Sequence, residues 1–173
     1  MSRPVDRAGS GGGRRDGAGA GLSPRPVGPM MCRMSEDERQ WRPALRVAML
    51  PKDANPYGNI FGGVILSYID QAGFIEAREH GMHRWVTASV DRVDFHAPVR
   101  IGDVVKFLTR TLKTGTSSVQ VGIHVEAVRY ATHDTVLVTE AQLTMVAVNA
   151  AGRPIPFSDP PSVVPGSMQP EVR

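Results

Sequence analysis

The run GGVILSYID, residues 62–70, places two glycines where an apolar helical stretch begins and an aspartate eight residues later. A helix start without side chains leaves backbone N–H groups accessible, and those groups have no partner within the helix. The dipole adds positive potential there, so such a start suits negative charge building on a carbonyl oxygen during acyl transfer. Asp70 is a carboxylate among residues that favour burial. Taken one at a time, these residues also have structural readings. The glycine pair permits close packing, Asn59 suits a turn or a helix cap, and Asp70 fits one wet stripe on the helix. The run Gly115, Thr116, Ser117, Ser118 reads as an ordinary hairpin loop. No phosphate-binding glycine loop, dinucleotide fingerprint, Gly-x-Ser-x-Gly elbow or Cys–His nucleophile pair is present. A hydrolase built on this chain therefore runs on a carboxylate. His80, His83, His96, His124 and His133 lack metal-ligand spacing and read as structural or surface groups, so no metal is expected.

The elements that must hold these residues follow from periodicity. Residues 44–50 read as a strand, 51–59 as a loop, and about 62–80 as a helix stopped by Gly81. Strands are expected at 85–95, 103–112, 118–128 and 135–149, the clearest alternation being Val119, Val121, Ile123, Val125 and Ala127. One early helix followed by strands in meander order implies an α+β fold, an antiparallel sheet of about five strands packed on that helix. Val64, Ile65, Leu66, Ile69, Ala72, Phe74 and Ile75 make the helix apolar nearly all round, so the sheet is expected to wrap it.

The 173 residues suit one domain with tails. Of 20 Lys and Arg, six arginines fall within residues 1–35 against Asp6 and Asp16, leaving 14 basic against 15 acidic side chains in the remainder. The excess positive charge belongs to the start of the chain, and the body offers no basic face for nucleic acid. Residues 1–35, rich in Gly, Pro and Arg, are expected to be disordered, 36–157 to form the domain, and 158–173 to be loose. Cys32 is the single cysteine, which excludes an intrachain disulfide and favours a reducing compartment. No apolar run approaches the length of a membrane span, and the start lacks both the apolar core of a secretory signal and an amphipathic presequence face. A cytoplasmic protein without membrane insertion is expected.

The segments PKDANPYGNIFGGVILSYIDQAG, VTASVDRVDFHAPVRIGDVV, KTGTSS and EAQLTMVAVNAAGRPIP, in that order over residues 43–157, resemble the hot-dog-fold acyl-CoA thioesterases, and most of all the broad-specificity bacterial acyl-CoA hydrolases. The resemblance implies a hot-dog fold and hydrolysis of an acyl-CoA to free acid and CoA, with no cofactor beyond the CoA of the substrate. It assigns Asp70 as general base or nucleophile and Asn59 to orienting water or substrate. Gly62 and Gly63 then belong to the oxyanion site. Thr87 and Ser89 are assigned to substrate, and Gly115, Thr116, Ser117 and Ser118 to the neighbourhood of bound CoA. One helix wrapped by one sheet leaves an open sheet edge, so a homodimer is expected as the active unit, and the resemblance implies a trimer of such dimers. Because Asn59 precedes the helix and Asp70 lies about 12 Å along it from Gly62, the two halves of a site are expected to come from different protomers. Two alternatives remain at this point: a non-catalytic acyl-CoA sensor, and a hot-dog hydratase or dehydratase. The second resembles a motif with a histidine in the active segment, and none lies between Asn59 and Asp70.

Overall fold

The computed structural model describes residues 41–91 and 93–163. Strand β1 (Arg42–Ala48) leads through a short 3-10 turn at Pro51–Asp53 to helix α1 (Gly62–Arg78). Then come β2 (Arg84–Val90), β3 (Asp94–Phe95), β4 (Val104–Thr114), β5 (Ser118–Val128) and β6 (Thr135–Val148). The sheet order is β1-β4-β5-β6-β2, all neighbours antiparallel. Only β4 to β6 form a meander. The expectation of meander order throughout is corrected by α1, which carries the chain from β1 at one edge to β2 at the other. The strand expected at 85–95 is divided. Strand β2 ends at Val90, Asp91 N–H still reaches the Gln142 carbonyl at 2.8 Å, and the two-residue β3 resumes pairing farther along β6, Phe95 opposite Thr139.

Helix α1 lies on one face of the sheet through Ile65, Ile69, Ala72, Gly73, Glu76 and Ala77, the three-and-four spacing of one helical stripe. Val105 and Phe107 of β4, Val121 and Ile123 of β5, and Leu143 and Met145 of β6 meet it in the core. At Gly73 a β-carbon would stand 3.0 Å from Leu143 Cδ1, so the helix approaches the sheet closely there. The helix ends earlier than Gly81. Glu79 closes it, and Gly81 at φ +142° turns the chain toward β2 in a conformation that other residues rarely adopt.

The sheet covers one side of this helix only. Leu66, Phe74 and Ile75 remain 40, 38 and 37% exposed. The neighbouring edge strand β2 is also open, with Val86 and Val90 exposed. The all-round apolar character of α1 thus exceeds what one sheet covers, and among the described residues an apolar helix flank lies beside a strand edge with no pairing partner. Residues 158–163, expected to be loose, are held down by hydrogen bonds from Ser162 and Val163 to the His83–Arg84 region and to Met82. The expected tail 1–35, with Cys32, and residues 164–173 lie outside the described residues. Among the described residues no helix is long and apolar enough to cross a membrane.

Candidate active site

The loop before α1 is built by Asn55. Its Oδ1 accepts from the N–H of Tyr57 (2.9 Å) and of Asn59 (3.2 Å), while its own N–H donates to the Asn59 carbonyl at 2.7 Å. Gly58 (φ +79°) supplies the left-handed step that this turn requires. Ile60 N–H then binds the Val99 carbonyl, and Phe61 N–H binds the Asp53 carbonyl. Both backbone groups of Asn59 are therefore engaged, yet its side-chain amide makes no hydrogen bond among the described residues. The backbone is held in place, and the amide is left without a partner among the described residues.

The helix start has the same character. Phe61 is the N-cap and offers no side-chain cap, and no acidic residue occupies the first turn. Val64 N–H bonds back to the Phe61 carbonyl, whereas the N–H groups of Gly62 and Gly63 have no partner among the described residues. The packing explanation for the glycine pair fails at Gly63, where an added β-carbon meets nothing within 4 Å. At Gly62 it would rest 3.5 Å from the Phe95 ring, an ordinary contact. Two donors and a positive helix end thus face open space, an arrangement able to stabilise an oxyanion.

Asp70 lies two turns on, exposed on the uncovered flank of α1. The hydroxyl of Thr87 donates to its Oδ1 and fixes the carboxylate. Thr87 also lies 3.3 Å from the Met145 sulfur, its neighbour across β2 and β6, but the carboxylate is the stronger acceptor for its single proton. Thr87, expected to meet substrate, is therefore joined first to the catalytic candidate. A bulge follows it. Ser89 pairs with Thr144, which alternates with the buried Leu143 and Met145, so Ser89 falls on the opposite face of the sheet from Thr87.

Gly115–Ser118 is the turn between β4 and β5, closed by Gly115 N–H to the Ser118 carbonyl at 2.7 Å. The Thr116 and Ser117 carbonyls accept from Phe157 and Ala147 N–H. The hydroxyls of Thr116, Ser117 and Ser118 make no hydrogen bond among the described residues. Ser118 and Val86 both pair with Val146, which places the turn about two strand spacings, roughly 10 Å, from β2. The turn thus lies level with Thr87, and the structure groups these polar positions at one end of the sheet.

A second carboxylate of α1, Glu76, was not singled out by the sequence. It is buried, receiving Arg42 Nη2 at 2.7 Å and the hydroxyls of Thr109 and Thr111 at 2.9 Å each. Burial alone raises its pKa, but the hydrogen bonds from Arg42, Thr109 and Thr111 and the Arg42 charge together hold it below the ordinary glutamate value. It is a structural anchor. His80 extends the network by its contact with Thr111 (2.7 Å), and His124 lies on the other face of the sheet near Glu126 and Glu140. A cavity of about 640 Å³ on that other face is walled by Trp41, Asp94, His96, Arg110 and Glu140 and includes none of the expected site residues. Among the described residues no three His, Cys, Asp or Glu side chains are grouped as metal ligands.

Residues 57–129 match the profile of the family described as Thioesterase superfamily. The chain is similar to the acyl-CoA thioester hydrolase YciA of Salmonella typhimurium, 38% identical over 116 residues that make up 65% of this chain and 87% of that protein. A hexameric hotdog-fold thioesterase of Campylobacter jejuni superposes with a TM-score of 0.63 at 42% identity, covering 66% of this chain and 89% of that one. A hexameric broad-specificity acyl-coenzyme A thioesterase gives 0.64 at 36% identity, over 67% and 80% of the two chains.

Proposed function

The chain belongs to the thioesterase superfamily, with the acyl-CoA thioester hydrolases as its relatives, and from that premise we propose that it hydrolyses acyl-CoA to a free acid and CoA at a site shared between two protomers. The observation that carries the reading is Asp70, a carboxylate fixed by Thr87 yet open on an uncovered apolar flank. Asp70 takes a proton from the attacking water, or attacks the carbonyl itself and is released by water afterwards. The carbonyl oxygen gains negative charge that the N–H groups of Gly62 and Gly63 stabilise, and the Asn59 amide orients water or carbonyl. The C–S bond then breaks, CoA leaves as its thiolate and takes up a proton, and the acid departs. Thr116, Ser117 and Ser118 contact the CoA portion. No metal or redox cofactor takes part.

One protomer does not bring these groups together. The helix starts at Gly62, so Asp70 lies about 12 Å along it from the oxyanion donors. In a two-fold dimer joined along the open β2 edge, the start of one helix faces the middle of its partner, and Leu66, Phe74, Val86 and Val90 become buried. Asn59, Gly62 and Gly63 of one protomer then complete the site with Asp70 of the other. Three such dimers make the hexamer that the similar thioesterases form. The protein acts in the cytoplasm. A thiol-release assay over acyl-CoAs from acetyl to palmitoyl tests the activity. Turnover of at least one acyl group, lost in Asp70→Asn, is expected. Tight acyl-CoA binding with no thiol release from any of them would make the protein a sensor and end the catalytic reading.

A further inference from the structure

The chain beyond β6 returns across the molecule as a strap. Asn149 Oδ1 accepts from the N–H of Ala151 and of Arg153, each at 3.0 Å, and Gly152 (φ +76°) reverses direction. Ile155 N–H then reaches the Ala147 carbonyl at 2.9 Å, while Ala147 N–H already holds the Ser117 carbonyl at 2.8 Å. Phe157 follows. Its N–H donates to the Thr116 carbonyl at 3.1 Å, and its carbonyl accepts from His83 Nε2 at 3.0 Å. The Phe157 ring lies near His80 and Trp85, with centroids 6.0 and 5.9 Å away. Ser162 closes the run: its N–H donates to His83 Nδ1 at 3.4 Å, and its Oγ accepts from Arg84 N–H at 3.2 Å.

These contacts enclose His83, which is 5% exposed. The Phe157 carbonyl only accepts, so Nε2 carries the proton of that bond. Nδ1 meets Ser162, its backbone N–H at 3.4 Å and its Oγ at 3.3 Å. Both ring nitrogens are engaged. One residue, Phe157, therefore ties the Gly115–Ser118 turn to the imidazole at the entrance of β2. The backbone of the turn is pinned at Thr116 and Ser117, and its three hydroxyls remain unengaged among the described residues.

We infer that Phe157 and His83 are positioning residues that hold the Gly115–Ser118 turn ready for the CoA portion of the substrate. This rests on the proposed role of that turn. A turn ordered before binding loses less entropy when the ligand arrives. Its contacts are remote from the reacting carbonyl and equal in ground and transition states, so they act on KM and leave kcat alone.

The test is steady-state kinetics on the full-length oligomer with two thioesters of one acyl group, on CoA and on N-acetylcysteamine, which lacks the nucleotide. His83→Phe keeps ring bulk without its nitrogens, and Phe157→Ala removes the ring of a half-buried residue and keeps the fold within reach should His83→Phe fail to fold. His83→Phe, which deletes the donor to the Phe157 carbonyl, is expected to raise KM for acyl-CoA and the inhibition constant of free CoA about three- to tenfold, the scale of a lost hydrogen bond. Phe157→Ala, which keeps those backbone bonds and loses the ring packing on His80 and Trp85, is expected to raise both in the same direction. Turnover of the truncated thioester is expected to stay at the parent level. His83→Gln, whose amide can donate to the Phe157 carbonyl, is expected to restore KM. Equal losses on both thioesters, or an unchanged KM in folded variants, overturn the inference. A double variant, Ser117→Ala with Ser118→Ala, separates the two ideas. If it raises KM while the strap variants do not, the strap inference alone falls. If it leaves KM unchanged, the role of the turn falls and the inference with it.

Discussion

Asp70 and Glu76 lie six residues apart on α1 and carry the same chemical group in opposite surroundings. Glu76 faces the sheet, buried, with a guanidinium and two hydroxyls on its oxygens. Asp70 faces outward from a flank that the sheet leaves bare, with the Thr87 hydroxyl as its partner. Three donors already occupy the Glu76 oxygens, and its charge is committed to the fold. A carboxylate with one partner is oriented and still open to reaction. Two faces of one helix thereby separate a carboxylate that holds the fold together from one left open to react, and substitutions that preserve shape can expose the difference.

The largest effect is expected at Asp70. Asp70→Asn keeps a hydrogen-bonding group beside Thr87 and should lower kcat by about 10²–10⁴ with melting temperature near that of the parent. Glu76→Gln should do the reverse, keeping kcat within a few-fold while melting earlier. Thiol-release kinetics and calorimetry on the pair read both. If the two variants lose turnover equally, the contrast is broken.

Gly63→Val comes next, since it puts a branched side chain over the N–H groups that have no partner among the described residues at the helix start. Loss of that oxyanion site should cost about 3–4 kcal/mol of transition-state stabilisation in kcat/KM. A folded Gly63→Val enzyme with parental kinetics removes the helix start from the mechanism. Thr87→Val retains shape and deletes the donor to Asp70, and about a tenfold drop in kcat is expected for a lost hydrogen bond to a charged group. A change confined to KM would return Thr87 to a purely substrate-contacting role.

The smallest effect concerns acid. Glu76 is ionised in the fold at pH values where an unfolded chain would bind a proton, because its folded pKa is the lower of the two. Its contribution is full above the ordinary glutamate pKa and fades as pH falls through the folded value. Denaturant midpoints measured from neutral pH downward should therefore fall less steeply in Glu76→Gln than in the parent. The partner Arg42 is largely exposed, so the difference is expected to be about 1 kcal/mol. Parallel curves for the two proteins would show that Glu76 gives nothing to acid stability.

Much of this arrangement was legible in the sequence. The period-two alternation marked β5 at its observed bounds, Ser118–Val128, and the apolar run placed the start of α1 at Gly62. Asp70 and the glycine pair stood out because each breaks a local preference that a plain helix would keep. What stayed hidden depends on contacts distant in sequence. Glu76 looks like one more helical residue until Arg42 of β1 and Thr109 and Thr111 of β4 converge on it. The break between β2 and β3 falls at Asp91, a residue that strands disfavour, but Val90, Val93 and Phe95 carried the apolar pattern across it. The strap was masked by prolines and serines that read as loose, since nothing local reveals that His83 awaits Phe157 and Ser162. The Asn-Pro pair at 55 and 56 did carry a turn signal, and it marked the residue that organises the loop before the helix.

If each active site takes Asp70 from one protomer and Asn59 from another, protomers carrying separate lesions complement each other when mixed. Asn59→Ala and Asp70→Ala, each inactive alone, are combined at equal amounts, unfolded and reassembled, and thiol release is measured against wild type treated in the same way. Random pairing makes half the dimers mixed, and each mixed dimer holds one intact site of two, so recovered activity should approach about a quarter of wild type. If both residues serve a site within one chain, every site in the mixture keeps a lesion and activity stays at the level of the separate variants.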